Sequence, residues 1–340
     1  MAEEYNALLG RLIAGEDLSR EQANGLFNRI MDGELGEAQV AGVLVALAAK
    51  GESVEEITGA AEAMRAHCVR IDTGGREVID TCGTGGTGLN TFNISTAAAF
   101  VAAGAGAVVA KHGNRTNTRP SGSADVLAAL GVNLDADMDT VTRCLAEANV
   151  CFCFAIKHHP AMKYAVPVRK QLAVRTLFNV LGPLTNPAGA ERQLMGVFDA
   201  RWVEPIAETL AALGAKRAMV VHAECGLDEI STTCPTKIAE AVDGKVSTRT
   251  VTPADFGMAV ADLSALAVAS ADESAQRIRD VLAGTGGPDR DIVLLNAAAA
   301  LTVAGKADTI ADALPLTAQS IDTGAARDAL DRLIRVSNGN

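Results

Sequence analysis

The sequence predicts an α/β protein, with a small N-terminal helical domain followed by a larger domain whose mostly parallel central sheet is flanked by helices. Residues 3 to about 68 read as four helices with no strand pattern among them, two opened by the capping boxes Ser19-x-x-Gln22 and Ser53-x-x-Glu56. From Val78 onward, short apolar runs alternate with alanine-rich helical stretches, as strand–helix–strand units do. The composition agrees: 49% hydrophobic, 32 glycines and only 3% aromatic residues suit helices packed closely on a sheet.

Within the helical region, the third stretch, near 36 to 49, runs AQVAGVLVALAA and is apolar nearly all round. Such a helix has to be buried inside its domain or against another subunit. Short helices without a sheet make a thin domain, so a homodimer through the helical domain is expected. That domain spans 1–70, and Ile71-Asp72-Thr73-Gly74-Gly75 is a polar, glycine-containing linker into an α/β domain spanning 71–340.

The stretch from Asp80 to Ser123 organises the larger domain. A strand at Val78-Ile79-Asp80 stops at Gly83, Gly85, Gly86 and Gly88, an open turn whose backbone amides can approach an anion. Asn93-Ile94-Ser95-Thr96 then leads into AAAFVAAGAGA, a polar cap before a run of small helix formers, and the free amides of a helix start favour anions. A second strand, Val108-Val109-Ala110, ends on Lys111-His112-Gly113-Asn114-Arg115. A right-handed crossover would put both loops on the carboxyl edge of a parallel sheet, where ligands bind in open α/β folds. Glycine amides, a helix start and cations together describe a phosphate site.

Neither common glycine motif fits. Gly83-x-Gly85-x-x-Gly88 matches the dinucleotide fingerprint, but that motif needs an acid at the end of the second strand, where this chain has Lys111 and His112. A P-loop needs Lys and then Ser or Thr after its last glycine, and Gly88 is followed by Leu89-Asn90.

Further along, Asp125 to Leu130 and Met138 to Ala148 read as helices and Val150 to Ala155 as a buried strand. The segment 156 to 187 breaks the pattern with Pro160, Pro167, Pro183 and Pro187, beside the bases Lys157, Lys163, Arg169, Lys170 and Arg175, which form either a solvated face or the lining of a cleft between the domains. Ala218 to His222 reads as another sheet strand, and the loop after it carries Gly226-Leu227-Asp228-Glu229. On the same edge as the glycine turn, those adjacent carboxylates suit magnesium, which takes hard oxygen ligands and bridges to phosphates. Residues 245 to 251 read as a strand, and helical patterns near 272–283, 289–305 and 318–336 carry no assigned chemistry.

A formal net charge of −11 disfavours a general binder of nucleic acid or anionic membrane, so any phosphate is held locally. The seven cysteines are scattered and lack paired C-x-x-C spacing, as in reduced cytosolic proteins; Cys151-x-Cys153 reads as buried packing. Met1-Ala2-Glu3-Glu4 lacks the features of a signal peptide, and no apolar run reaches transmembrane length. A cytoplasmic location is expected.

The glycine turn, Asn90 to Thr96 and Lys111 to Arg115 also resemble the anthranilate phosphoribosyltransferases. Further matches lie at His159 to Lys163, Pro167-Val168-Arg169, Arg175 to Asn179, Leu181 to Leu184 and Gly226 to Ile230. The resemblance implies transfer of phosphoribose from phosphoribosyl pyrophosphate to the amine of anthranilate, with magnesium, two ions, as cofactor. It implies donor binding by Gly83, Gly86, Thr87, Thr91, Asn93, Ile94, Ser95, Thr96, Lys111, His112, Gly113, Asn114, Arg115, Thr116, Asn117, Thr118, Arg119 and Ser123. Gly83, Asn114 and Arg169 would contact anthranilate, Arg169 offering a planar fork matched to a carboxylate. Ser95, Asp228 and Glu229 would hold metal, and part of 160–187 would return to pack with the helical domain. An aromatic amine needs no strong base once neutral, so His112 and His159, the two candidates for that role, are expected to position rather than to take a proton.

The chain departs from the resembled pattern at Thr87, where an Asp is usual, and at Ala173, where a glycine is usual. Thr116-Asn117-Thr118-Arg119-Pro120 and Ile156-Lys157-His158 also differ, Arg119 carrying the loop's positive charge. Two other readings share the architecture: a pyrimidine nucleoside phosphorylase-like enzyme, whose glycine-rich signature is not found here, and a noncatalytic relative that binds nucleic acid, disfavoured by the net charge and the intact Asp228-Glu229 pair.

Overall fold

The computed structural model describes residues 2–115 and 122–340. The expected contacts at Thr116, Asn117, Thr118 and Arg119 lie outside the described residues.

The N-terminal unit is four helices, α1 (Ala2–Ile13), α2 (Arg20–Met31), α3 (Glu37–Lys50) and α4 (Val54–Ala66). Both predicted capping boxes form, at Ser19 with Gln22 and at Ser53 with Glu56. The Glu56 carboxylate is buried yet fully engaged, accepting from Ser53 N–H at 2.8 Å, Leu18 N–H at 3.0 Å and Lys50 Nζ at 2.9 Å. Helices α2 and α4 touch backbone to backbone at Gly59, where a Cβ would run into the Arg20 carbonyl. Within one chain, α3 is buried on one side only. Val40, Val43, Leu44 and Leu47 face the core, whereas Val45 is 46% exposed and Ala48 and Ala49 lie on the same open side.

The larger domain contains β1 (Ile79–Asp80), α5 (Ile94–Gly104), β2 (Val109–Gly113), α6 (Ser123–Leu130), α7 (Met138–Ala148) and β3 (Val150–Phe154). It continues through the short helices α8 (Ala155–His158), α9 (Val166–Leu172) and α10 (Phe178–Leu181) to β4 (Arg192–Gly196), α11 (Val203–Ala212) and β5 (Arg217–Ala223). It closes with β6 (Thr236–Val242), β7 (Lys245–Val251), α12 (Ala271–Leu282), α13 (Pro288–Val303), α14 (Ile310–Asp322) and α15 (Ala325–Ser337).

The seven strands form one sheet in the order β3-β2-β1-β4-β5-β6-β7. From β3 to β5 all pairs are parallel; β6 and β7 add antiparallel. Lys111, His112 and Gly113, read from sequence as a loop, belong to β2, because β3 runs beside it as far as the Gly113–Phe154 pair. The single helix expected over 318–336 is two helices, broken at Gly324, whose φ of 81° is left-handed.

Two apolar cores flank the sheet. One packs α5, α13 and the C-terminal helices on one face. The other joins the helical bundle to α11 and to Ala165, Val168, Leu177 and Phe178 from the proline-rich segment. Among the described residues, no helix is long and apolar enough to cross a membrane.

Candidate active site

The carboxyl ends of β1, β2, β4 and β5 converge on one site. After β1, Gly85, Gly86 and Gly88 take φ values of 63°, 74° and 77°, a region glycine enters without steric cost. The turn is pinned to the end of β4 by the Thr84 N–H donating to the Gly196 carbonyl at 2.8 Å and the Phe198 N–H donating to Thr84 Oγ1 at 3.0 Å. Gly85 N–H also donates to Asp228 Oδ2 at 3.1 Å, so the acidic loop after β5, 143 residues away in sequence, closes onto the glycine turn. Gly83 runs so close to this carboxylate that a Cβ there would lie 3.0 Å from Oδ2. The Thr87 hydroxyl accepts from Leu89 N–H at 3.2 Å.

The predicted cap at Asn93 has an unexpected consequence. Its side chain accepts from the Thr96 hydroxyl instead of capping a backbone amide, so the first-turn amides of α5, Ile94 to Thr96, carry no side-chain cap. The approach to the helix is strapped in place by a bridge from Thr91 to Ala267, by Phe92 N–H to the Leu266 carbonyl at 3.0 Å and by Asn93 N–H to Ser274 Oγ at 2.9 Å. Lys111, 3% exposed, reaches from β2 to donate to Ser95 Oγ at 3.1 Å, the Thr81 carbonyl at 3.0 Å and Thr81 Oγ1 at 3.3 Å. A buried ammonium is tolerated where its donors are met in this way.

Both histidine rings are buried, their centroids 5.1 Å apart. Burial, reinforced by the charges of His159 and His158, pulls the His112 ring down to about 3, and burial and then His158 pull His159 down to about 4. Neither ring is protonated near neutrality, and weakly basic rings of this kind take a proton poorly. Beneath them Asp80 is pushed up to about 6, burial outweighing the Asn186 amide, the charge of Lys111 and the backbone amides of His112 and Thr81.

Among the described residues, Asp80, Cys82 and His112 bring potential ligand atoms within 4.8 Å of one another, a grouping the sequence reading missed. Asp80 is already committed, accepting from Asn186 Nδ2 at 2.7 Å and His112 N–H at 3.1 Å, so it braces β1 against β2. Burial raises the Cys82 thiol, Asp80, Asp228 and Glu229 raise it further and Lys111 opposes them, so these four charges converge on one spot.

At the end of β2, Gly113 has Ser123 Oγ and the Phe152 ring where a Cβ would stand, and the Asn114 carbonyl accepts from Ser123 Oγ at 3.4 Å. Arg115 is exposed, 4.0 Å from Asp125. Arg169 sits half buried on α9 with its guanidinium 5.6 Å from the centre of the Phe178 ring, and burial draws its pKa below the usual arginine value. Among the described residues no carboxylate pairs with it, and no hydrogen bond links it to Gly83 or Asn114. Arg175, given no site role from sequence, donates to the Gly86 carbonyl at 2.6 Å and stacks 4.0 Å from the centre of the Phe198 ring, tying the proline-rich segment to the glycine turn.

This arrangement, an open amide turn and an uncapped helix start beside buried cationic and acidic groups, fits a sugar phosphate transferase. Residues 75–327 match the glycosyl transferase family a/b domain, and residues 6–68 match that family's helical bundle domain. An anthranilate phosphoribosyltransferase of Thioalkalivibrio sulfidiphilus is 53% identical over 318 residues, 94% of each chain. The crystal structure of the anthranilate phosphoribosyltransferase of Thermus thermophilus superposes with a TM-score of 0.92 at 40% identity, over 97% of this chain and 99% of that one. The Saccharomyces cerevisiae enzyme in complex with phosphoribosyl pyrophosphate and magnesium superposes with a TM-score of 0.88 at 26% identity, over 99% of this chain and 98% of that one. The chain belongs to the anthranilate phosphoribosyltransferase family.

Proposed function

We propose that this chain transfers phosphoribose from phosphoribosyl pyrophosphate to the amine of anthranilate, releasing pyrophosphate, as a step of tryptophan biosynthesis. The observation that carries this reading is the contact between Asp228 and Gly85, which sets the acidic loop on the glycine turn beside the uncapped start of α5. Amides and hydroxyls of Gly83, Gly86, Thr87, Thr91 and Asn93 to Thr96 bind the donor. Lys111 to Arg115 and Ser123 close the other side, with Lys111 holding Ser95 in place.

Asp228, Glu229 and Ser95 offer hard oxygen donors, a set that fits magnesium, and two ions are the number proposed. Bound there, magnesium would offset the negative charge that grows on departing pyrophosphate. Arg169 clamps the anthranilate carboxylate, its guanidinium steadied by Phe178, with Gly83 and Asn114 completing the acceptor contacts. The low basicity of His112 and His159 favours a positioning role for both.

The protein acts in the cytoplasm as a homodimer, its two chains meeting on the open side of α3 around Val45. Its helical domain comprises 1–70 joined by part of 160–187, and 71–340 forms the donor-binding domain, a division supported by the core shared between the bundle and residues 165–184. Gel filtration at a monomer mass would remove the dimer.

The deciding experiment follows anthranilate fluorescence with and without phosphoribosyl pyrophosphate and magnesium. Depletion only with the donor supports the assignment. No depletion, together with turnover of a nucleoside and phosphate, overturns it in favour of a phosphorylase.

A further inference from the structure

A polar cavity of about 170 Å³ lies where α4 and the linker after it meet the turns entering β4 and β5. Its wall is formed by Arg65 at the end of α4, Cys68 and Arg70 of the following linker, Asn186 and Gly189 to Glu191 leading into β4, and Leu213 with Ala215 leading into β5. These last two segments precede their strands, so the cavity opens at the amino edge of the sheet. The candidate active site lies at the carboxyl edge, and Asn186 is shared between the two, its amide donating to Asp80 at 2.7 Å.

The charge balance of this cavity is unusual. Arg65 is mostly buried; Nε donates to the Leu184 carbonyl at 2.7 Å and one terminal nitrogen lies 3.5 Å from the Leu213 carbonyl, so backbone oxygens alone receive it. Arg70 lies against Gly189, whose Cβ would stand 3.7 Å from its guanidinium. The two positive charges act on each other, Arg70 adding to the burial that lowers Arg65, and the Glu62 carboxylate opposes this without outweighing it. Nearby carboxylates are already engaged: Glu62 pairs with Arg20 at 2.5 Å and Glu191 with Lys216 at 2.9 Å. Among the described residues no carboxylate pairs with either arginine. Two guanidiniums facing one polar cavity repel each other unless an anion lies between them, and their planar forks match phosphate and carboxylate oxygens.

We propose that this cavity binds a small oxyanion, a phosphate or carboxylate group held between Arg65 and Arg70 where the helical and α/β domains join. Such an anion ties α4 and the linker to the turn entering β4. It thereby stiffens the junction across which the bundle is set against the sheet, while the residues proposed to bind donor and metal lie outside the cavity wall.

Cys68 lines the same cavity and serves as its reporter, although burial pushes its thiol up to about 11 and makes it slow to react. The experiment follows iodoacetamide labelling of Cys68 in the full chain by peptide-resolved mass spectrometry. Inorganic phosphate is titrated in one arm and succinate in another, with ionic strength balanced by sodium chloride. Saturable protection is expected, labelling slowing about tenfold when the anion reaches about nine times its Kd. Slowing by phosphate alone assigns a phosphate ligand, and slowing by succinate assigns a carboxylate. Arg70→Ala, an exposed change that leaves the fold intact, should abolish protection, and Arg70→Lys should restore only part of it. Saturating phosphoribosyl pyrophosphate with magnesium should leave the protection in place, which separates this cavity from the candidate active site. Labelling indifferent to both anions, or protection undiminished in Arg70→Ala, overturns the proposal.

Discussion

Replacing Gly83 by alanine tests the central contact of the candidate site. Gly83 lies outside the left-handed region, so alanine brings no backbone strain and its whole effect comes from the added methyl. That methyl would stand 3.0 Å from Asp228 Oδ2 and 3.3 Å from the Gly196 carbonyl, closer than the ordinary range beginning at 3.4 Å. The carbonyl is fixed within β4, so the carboxylate gives way by a few tenths of an ångström. The 3.1 Å bond from Gly85 N–H then lengthens. A hydrogen bond to a charged group is worth about 1.5–3 kcal/mol, so its partial loss should cost about 1 kcal/mol of stability. A misplacement of ~1 Å can cost ~100-fold in rate, so a shift of tenths should lower kcat about tenfold. Initial rates from anthranilate fluorescence, with magnesium titrated, measure the second effect, and calorimetric melting measures the first. Gly196→Ala sets the scale, because its methyl would overlap the Asp228 carbonyl itself and should prevent folding. A Gly83→Ala protein with unchanged kcat and magnesium dependence would refute the reasoning.

Asp228→Asn combined with Glu229→Gln should abolish magnesium-dependent turnover while the melting transition persists; near-normal rates would remove the metal assignment. Arg169→Ala should raise the KM for anthranilate by about tenfold or more, the loss of one charged hydrogen-bonding partner, and leave the KM for phosphoribosyl pyrophosphate alone; an unchanged acceptor KM dislodges that role. Asp80 has a folded value of about 6 against 3.8 when free, so the native state keeps a proton that the unfolded chain releases between those pH values. The contribution is therefore complete below pH 3.8 and is lost as pH rises through about 6. Relative to Asp80→Asn, wild-type stability in urea should fall by roughly 2 kcal/mol between pH 4 and pH 7, and a flat difference contradicts it.

The parts of the fold written locally in the sequence were legible, and those decided by distant partners were not. Capping boxes, glycine turns and alanine-rich helices specify themselves within a few residues, which is why the bundle, α5 and the glycine turn were found. Strand β4 went unread because Arg192 and Gln193 look like surface residues; Gln193 is buried only because its amide meets the Pro183 carbonyl at 2.7 Å. Strand β6 hides the same way, its Glu240 neutralised by Arg217 at 2.8 Å and Arg249 at 2.6 Å from either side. In the candidate site, the glycine turn and the Asp228-Glu229 loop were visible as separate motifs. The Asn186 amide that steadies Asp80 was not, because it arrives from 106 residues away. Arg175 stood in plain view among the bases of the proline-rich segment, but nothing local shows that it grips Gly86.

The small-residue composition and the candidate site are one physical arrangement. Helix α5 is buried on every side, Ala97 to Ala99, Ala102 and Ala103 included, because α13 and α15 pack directly on it. Gly104 leaves no room for a side chain, since Ser320 Oγ and the backbone of Ala325 and Ala326 occupy the space, and Ser320 Oγ donates to the Val101 carbonyl at 2.8 Å. A helix so closely surrounded cannot rotate or slide without overlap. Its start is therefore held as firmly as its end, and Ser95 and the uncapped amides stay beside Lys111 without help from a ligand. Larger side chains would bury more apolar area per residue but would push α5 away from the sheet and blunt that aim. An interior of alanine and glycine gives up some burial and gains a rigid anion-binding edge, so an acidic chain of net charge −11 can present positive potential at one place.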